Sequence, residues 1–453
     1  MEFERATGYG IKPIHQRLGP LPSAVGRRHN KVCIYWEAGR CNRRNCPYLH
    51  GELPRSLDVA SKKRASVWRN PKTAGKRDSD LPRLDADKDQ TTSQVNKLCK
   101  DFIVGSSCGL GDECKSLHSW FTGDSFSLLT ALPSHQKVIT GIVLPWGSDK
   151  LYTGSQDNTV RIWDCHSGRC VHTVNLESQD NTVRIWDCHS GRCVHTVNLE
   201  SEVGCMISEG PWIFVGINNA VRAWNTKTFA DLALKASDGK SPVGRVYALA
   251  FDNESLFAAT QDGCILAWKL NDQENSFEPA VPLKGHQRSV VSLVIRAGRL
   301  YSGCMDSTIR VWDLTTLRCI ETLTGHSSVV MSLLYWDNYL LSCSLDGTVK
   351  VWAVGDSGKM EVVYTHCEDH GVLQLYGVND AQDKPVLLCA RNDDTVSLYD
   401  LPSFSERGRI FSEQEVRAIA RGPDGLFFTG DASGKLRVWK WAAKDVTVAA
   451  SHL

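Results

Sequence analysis

At 453 residues with 42% hydrophobic content, the chain exceeds one ordinary domain and can bury a sizeable core. It has no run of about eighteen apolar residues, which argues against a membrane-spanning helix, and Arg5, Lys12, Arg17, Arg27 and Arg28 interrupt any apolar leader, so a place in the nucleus or cytoplasm is expected. The net charge of +1 hides a division: residues 1–119 hold 22 Lys/Arg against 13 Asp/Glu, about +9, which leaves about −8 for the remainder. A basic head precedes an acidic body, so contacts to phosphate backbones are expected at the head.

Seventeen cysteines without an export signal point to free thiols and metal ligands rather than a disulfide scaffold. Six of them lie before residue 120 at metal-like spacing. Cys33, Cys41, Cys46 and His50 read C-x7-C-x4-C-x3-H, and Cys99, Cys108, Cys114 and His118 read C-x8-C-x5-C-x3-H. Each set suits one tetrahedral zinc. About twenty residues cannot bury enough apolar surface to offset their ordering entropy, whereas structural zinc supplies roughly 10–16 kcal/mol to such a module. All four positions are filled by protein, the closed arrangement of a structural site, so hydrolytic chemistry is not expected there. Two zinc ions are therefore expected, one per finger.

In the first finger, Tyr35, Trp36 and Tyr48 offer stacking faces beside Arg40, Arg43 and Arg44. Stacking on single strands is worth roughly 1–3 kcal/mol per base, and neighbouring Arg adds phosphate pairing. Single-stranded RNA suits this surface better than duplex DNA, because unstacked bases can reach the rings. The competing role for Trp36 and Tyr48 is to form the finger's own miniature core. In the second finger Phe102 matches Trp36, but Ser116 stands where the first has Tyr48. Both sets resemble the CCCH finger family, whose best-known tandem members bind single-stranded RNA. The basic and aromatic lead-in of the AU-rich-element binders is absent, so no target sequence carries over.

Between the fingers, Lys62, Lys63, Arg64, Lys72, Lys76 and Arg77 stand among few large apolar residues. This reads as a flexible basic linker, its ends roughly 35–40 Å apart as a random coil. The two basic clusters also resemble a bipartite nuclear-import signal, against the alternative of a solvated charge run.

From about residue 125, short alternating apolar segments separated by turn residues predict many antiparallel strands. Trp163, Trp224, Trp268, Trp312, Trp352, Tyr399 and Trp439 recur in equivalent positions, with steps of 44, 44, 40, 47 and 40 residues from Trp224 onward. Gly285-His286 and Gly325-His326 open two units, and Asp157, Asp262, Asp306 and Asp346 sit in tight turns. The pattern resembles the WD-repeat family, and seven units imply a seven-bladed propeller. Ser125 to Leu132 is the predicted outer strand of the last blade. His286, Ser302, Asp306 and Trp312 could be misread as a hydrolase triad. His326, Ser342, Asp346 and Trp352 repeat the set, which marks both as structural hydrogen-bond chains.

Residues 155–177 recur letter for letter at 178–200. This unit carries the third and fourth strands of a blade without the first two. One copy is therefore expected as an extruded hairpin or as extra strands on the rim of blade one, with the ring still seven-bladed.

The fold expected is all-β, a seven-bladed WD-repeat propeller preceded by two small zinc-stabilised fingers. Its boundaries are a disordered segment at 1–27, fingers at 28–53 and 95–121, the linker at 54–94, the propeller at 122–445 and a tail at 446–453. The whole arrangement resembles the plant CCCH zinc-finger and WD-repeat proteins. That resemblance implies metal-dependent RNA or DNA binding. The residues together lead to the expectation of a non-catalytic adaptor: fingers on RNA, or DNA as the alternative, and protein partners on the propeller, with no membrane or small-molecule substrate. The runner-up is a protein scaffold or ubiquitin-ligase substrate receptor. Many receptors of that kind carry Arg two positions after Trp-Asp, whereas Cys165-His166 and Leu314-Thr315 follow the pair here.

Overall fold

The computed structural model describes residues 29–32, 48–49, 97–145, 150–164, 170–175, 182–186, 193–198, 201–228, 230–236, 244–252, 254–271, 273–274 and 276–442. The chain divides into two compact units, Met1–Ala65 and Ser66–Leu453. In the first, His29–Val32 pairs in parallel with Tyr48–Leu49. The second holds the other finger and a ring of seven antiparallel sheets.

Each sheet is a blade, and in five of the seven the strands simply follow in chain order from the ring's centre outward. Blade four shows why the sequence alternates as it does. Its second strand, Arg299–Cys304, is buried at five consecutive positions, because both faces are covered by neighbouring blades. Such a strand reads as an unbroken run of small and apolar residues. The outer strand, Arg318–Leu323, alternates between exposed and partly or fully buried residues, since one side meets solvent. Trp163, Trp224, Trp268, Trp312, Trp352, Tyr399 and Trp439 all sit on third strands and are buried between blades. In five of the seven blades the turn before that strand places a left-handed residue directly after the turn aspartate. Asn158, Gly263, Ser307, Gly347 and Asp394 fill that place, with φ from +61° to +86°.

Six blades are built from consecutive strands. The seventh takes Val416–Arg421, Leu426–Asp431 and Lys435–Trp441 from the end of the chain and completes itself with Phe126–Pro133 from the beginning. The predicted outer strand is thus displaced by one residue. Main-chain bonds from Ser134 and His135 to Gly434 O, at 3.3 and 2.9 Å, extend the closure into the turn of blade seven. A Cβ on Gly434 would stand 2.1 Å from His135 O, so no other residue fits there.

Blade six gains a fifth strand. Phe121–Thr122 pairs with Ser405–Phe411, so contact with the ring begins inside the segment expected to end the second finger. The repeated segment forms a separate two-stranded hairpin, Thr182–Trp186 with Cys193–Asn198, and blade one keeps the usual four strands. Extrusion, rather than addition to the rim, is the arrangement adopted.

Phe126 lies at the centre of the closure, 1% exposed, with ring centroids 5.4–6.2 Å from those of Phe121, Trp439, Trp441 and Phe427. Phe126→Ala should cost about 3–5 kcal/mol, read as a lowered midpoint of chemical denaturation, because it empties the contact that ties the two ends together.

Candidate metal centre

The second finger is assembled from three short pieces. Cys99 precedes the one-turn helix Lys100–Ile103, which opens with the bond from Ile103 N to Cys99 O at 3.0 Å. Cys108 follows a turn, and Cys114 leaves the 3-10 turn Gly111–Glu113. His118 arrives on a segment held beside the start by a parallel bridge, Leu98 to Leu117, with bonds of 2.9 Å in both directions. The four donor atoms lie within 4.8 Å of one another. A tetrahedron of Cys and His around zinc has its donors about 3.8 Å apart, so small adjustments suffice.

The electrostatics fit a cation. A backbone N–H from Phe102 is the main cause that brings the Cys99 thiol down to about 7, with further bonds from His118 and Cys108. Cys108 is pushed up instead: the bond from the Leu110 backbone favours its thiolate, but burial and the adjacent thiols of Cys114 and Cys99 outweigh it. Crowded thiols, one brought down by backbone and side-chain bonds and one pushed up by its neighbours, are a donor set suited to a divalent ion. Cys99, Cys108, Cys114 and His118 would hold zinc as a closed structural site.

Cys33, Cys41, Cys46 and His50 lie outside the described residues, as do Tyr35, Trp36, Arg40, Arg43 and Arg44. Of that surface only the backbone of Tyr48 is placed, in the strand Tyr48–Leu49. Phe102 was read from the sequence as a nucleic-acid contact. It is half-buried, its ring centroid 6.0 Å from His118 and 5.3 Å from Trp120. This position gives it packing work at the junction with the ring.

The two serine, histidine and aspartate sets sit inside blades. His286 Nδ1 lies 3.0 Å from Asp306 Oδ2, and its Nε2 lies 2.7 Å from Ser302 Oγ, which also accepts a 2.8 Å bond from Trp312 Nε1. The second set repeats this at 2.9 Å for His326 to Asp346 and 2.8 Å for both His326 to Ser342 and Trp352 to Ser342. A carboxylate only accepts, so Nδ1 carries the histidine proton and Nε2 accepts from the serine hydroxyl. Each hydroxyl is then spent on both sides and fully buried. Such a serine is a joint rather than a nucleophile.

Three segments of the ring match the WD domain, G-beta repeat family: residues 126–164, 277–313 and 317–353. Over nearly the whole chain, the protein is 52% identical to zinc finger CCCH domain-containing protein 17 of Oryza sativa subsp. japonica, covering 97% of this chain and 98% of that one. The chain belongs to the family of zinc finger CCCH domain-containing proteins that carry WD repeats. Zinc finger CCCH domain-containing protein 48 of Arabidopsis thaliana is 50% identical, with the same coverage. The crystal structure of the computationally designed Ika8 protein aligns with a TM-score of 0.52 at 23% identity, covering 69% of this chain and 99% of that one, a likeness of fold alone.

Within this family member a third set escaped the sequence reading. His135 in blade one lies 3.0 Å from Asp157 Oδ2 and 2.8 Å from Thr153 Oγ1, which accepts from Trp163 at 2.9 Å. Ser134 rather than Gly precedes the histidine, and threonine replaces serine, so the motif was hidden. Asp157 and Trp163 were its visible half. Blades six and seven use arginine instead. Arg391 pairs with Glu368 at 2.9 Å, and Arg437 pairs with Asp431. Cys304 explains one of the scattered cysteines. Its thiol donates to Arg288 O and accepts from Asp306 N, the place that Ser155 and Ser344 hold in their blades. Burial raises that thiol to about 12, which keeps it protonated beside His286 and Asp306.

Burial lowers the pKa of His135, His286 and His326 below the usual 6.5, outweighing the aspartates that raise it. The folded-state value lies below the unfolded one, so stability present above about pH 6.5 is lost as the pH falls. The denaturation midpoint should therefore drop between pH 7 and pH 5.5. His286→Gln with His326→Gln should start lower at pH 7 and show a shallower slope, measured by calorimetry across that range. A midpoint that rises on acidification would mean that ion pairing dominates instead.

Proposed function

We propose that this protein is a non-catalytic adaptor in which the fingers bind single-stranded RNA and the propeller recruits protein partners, in the nucleus or cytoplasm. One observation carries the reading: the positive charge is concentrated in the head, where the first finger interleaves Tyr35, Trp36 and Tyr48 with Arg40, Arg43 and Arg44. The acidic remainder disfavours phosphate contact on the ring. Two zinc ions would shape the head, each in a site whose four donors are all supplied by protein. The serine hydroxyls that suggest hydrolysis are committed to buried hydrogen bonds, which supports a binding protein rather than an enzyme.

The second finger contributes less to base contact in this reading, because Phe102 is engaged with Trp120 and His118. The first finger then dominates affinity. Trp36→Ala should weaken binding of a fluorescent single-stranded RNA roughly 5- to 150-fold, the loss of one stacked base. Cys46→Ser should abolish finger-one binding, and affinity of the intact chain should fall steeply with added salt. Undiminished binding by both variants would move the contact off the finger, and preference for duplex DNA would favour the DNA-regulator alternative. Loss of a protein ligand in Cys46→Ser, with no RNA bound by either form, would favour the scaffold or substrate-receptor reading.

A further inference from the structure

Trp120 stands two residues beyond His118, and its indole lies beneath the Arg437 guanidinium, whose carbon is 4.6 Å from a ring centroid. Arg437 is buried, ion-paired with equally buried Asp431 and 3.8 Å from Glu413. On the finger side, Phe102 packs against both Trp120 and His118. The main chain is tied down as well. Phe411 N donates to Trp120 O at 2.9 Å, and Phe121 and Thr122 pair with Ile410 and Arg409. Phe121 then touches Trp439 and Phe126, the first residue of the strand that closes the ring. The packed path from the last metal donor to the closing strand has no gap.

We propose that metal occupancy of the second finger is coupled to closure of the propeller through Trp120. Without metal, the finger has too little core to stay folded, and Phe102 loses its position. Trp120 then loses one of its walls, and the cation beneath which it packs becomes open to water. Coupling is reciprocal, so a ring that is well closed also holds the metal more tightly. A finger joined to the ring by an unstructured tether would show neither effect.

The test is calorimetry of the full chain, following the ring's unfolding. Cys114→Ser should lower the midpoint by about 2–4 °C. Cys46→Ser, in the other finger, should leave it unchanged. Trp120→Ala should lower the midpoint by itself and erase the further effect of Cys114→Ser. Hydrogen exchange of Phe126–Pro133 should rise with Cys114→Ser and not with Cys46→Ser. An unchanged midpoint in Cys114→Ser, or an effect of undiminished size on the Trp120→Ala background, would overturn the coupling.

The repeated segment carries a second inference independently. Blade one pairs Thr159 with Asn175, Val160 with Val174, Arg161 with Thr173, Ile162 with His172 and Trp163 with Cys170. The extruded hairpin pairs Thr182 with Asn198, Val183 with Val197, Arg184 with Thr196, Ile185 with His195 and Trp186 with Cys193. The register is the same, displaced by 23 residues, down to the irregularity beside the tryptophan. We infer that either copy can complete blade one. Exchange moves the surplus residues from the link before blade two into the turn after Ser155, and loop closure depends only weakly on length. The first copy holds the place because its tight turn presents Asp157 to His135 without a detour.

Trp163→Ala should therefore lower the ring's midpoint only slightly in the full chain, since the copy bearing Trp186 can replace the damaged one. The same substitution in a chain lacking residues 178–200 should lower it several-fold more, and Trp163→Ala with Trp186→Ala should match that loss in the full-length chain. Equal losses from the single and double substitutions would rule exchange out.

Discussion

The structure depends on pairing the first strand of the ring with the last. A last blade that ended at Lys435–Trp441 would be one strand short and would leave an aromatic cluster uncovered. Phe126–Pro133 satisfies both needs at once, with main-chain bonds along its length and Phe126 inserted among Phe427, Trp439 and Trp441. Because the closing strand comes from the start of the body, the segment Trp120–Thr122 just before it is brought against blades six and seven. The second finger is therefore part of the closure, fastened by Trp120, Phe121 and Thr122.

Within the ring, the histidine sets show how buried polar groups can be satisfied. Blades one, four and five share a chain from tryptophan through a hydroxyl and an imidazole to a turn aspartate, and every donor in that chain has an acceptor. Asp306 shows the balance: burial alone would raise its pKa, but bonds from Thr308 and His286 carry it down to about 2. Blades six and seven bury Arg391 and Arg437 in ion pairs instead. A permanent cation inside a blade needs more carboxylates than an imidazole does. Arg391 has Glu368 and Asp393, and Arg437 has Asp431 and Glu413. Trp120 completes the second of these clusters by covering the guanidinium.

The two fingers differ in what surrounds their metal donors. Both carry the donors for a closed metal site, and only the first pairs its donors with a full set of aromatic and arginine side chains. In the second, Phe102 packs against Trp120, which lies beside Arg437 of the ring.

The sequence by itself determined the repeat, the strand that closes the ring, the structural reading of the histidine sets and the grouping of Cys99, Cys108, Cys114 and His118. These are local or periodic properties: ligand spacing, a tryptophan about every forty residues, and turn aspartates at fixed offsets. It left hidden the third histidine set, because Ser134 and Thr153 break the local pattern that identifies the others. Only the tertiary structure decided that the repeated segment is extruded, since identical letters cannot say which copy a sheet will take. It also placed Trp120 between Phe102 and Arg437, the latter more than three hundred residues away. Contacts of that range are set by how the ring closes, and no window of sequence contains both sides of them.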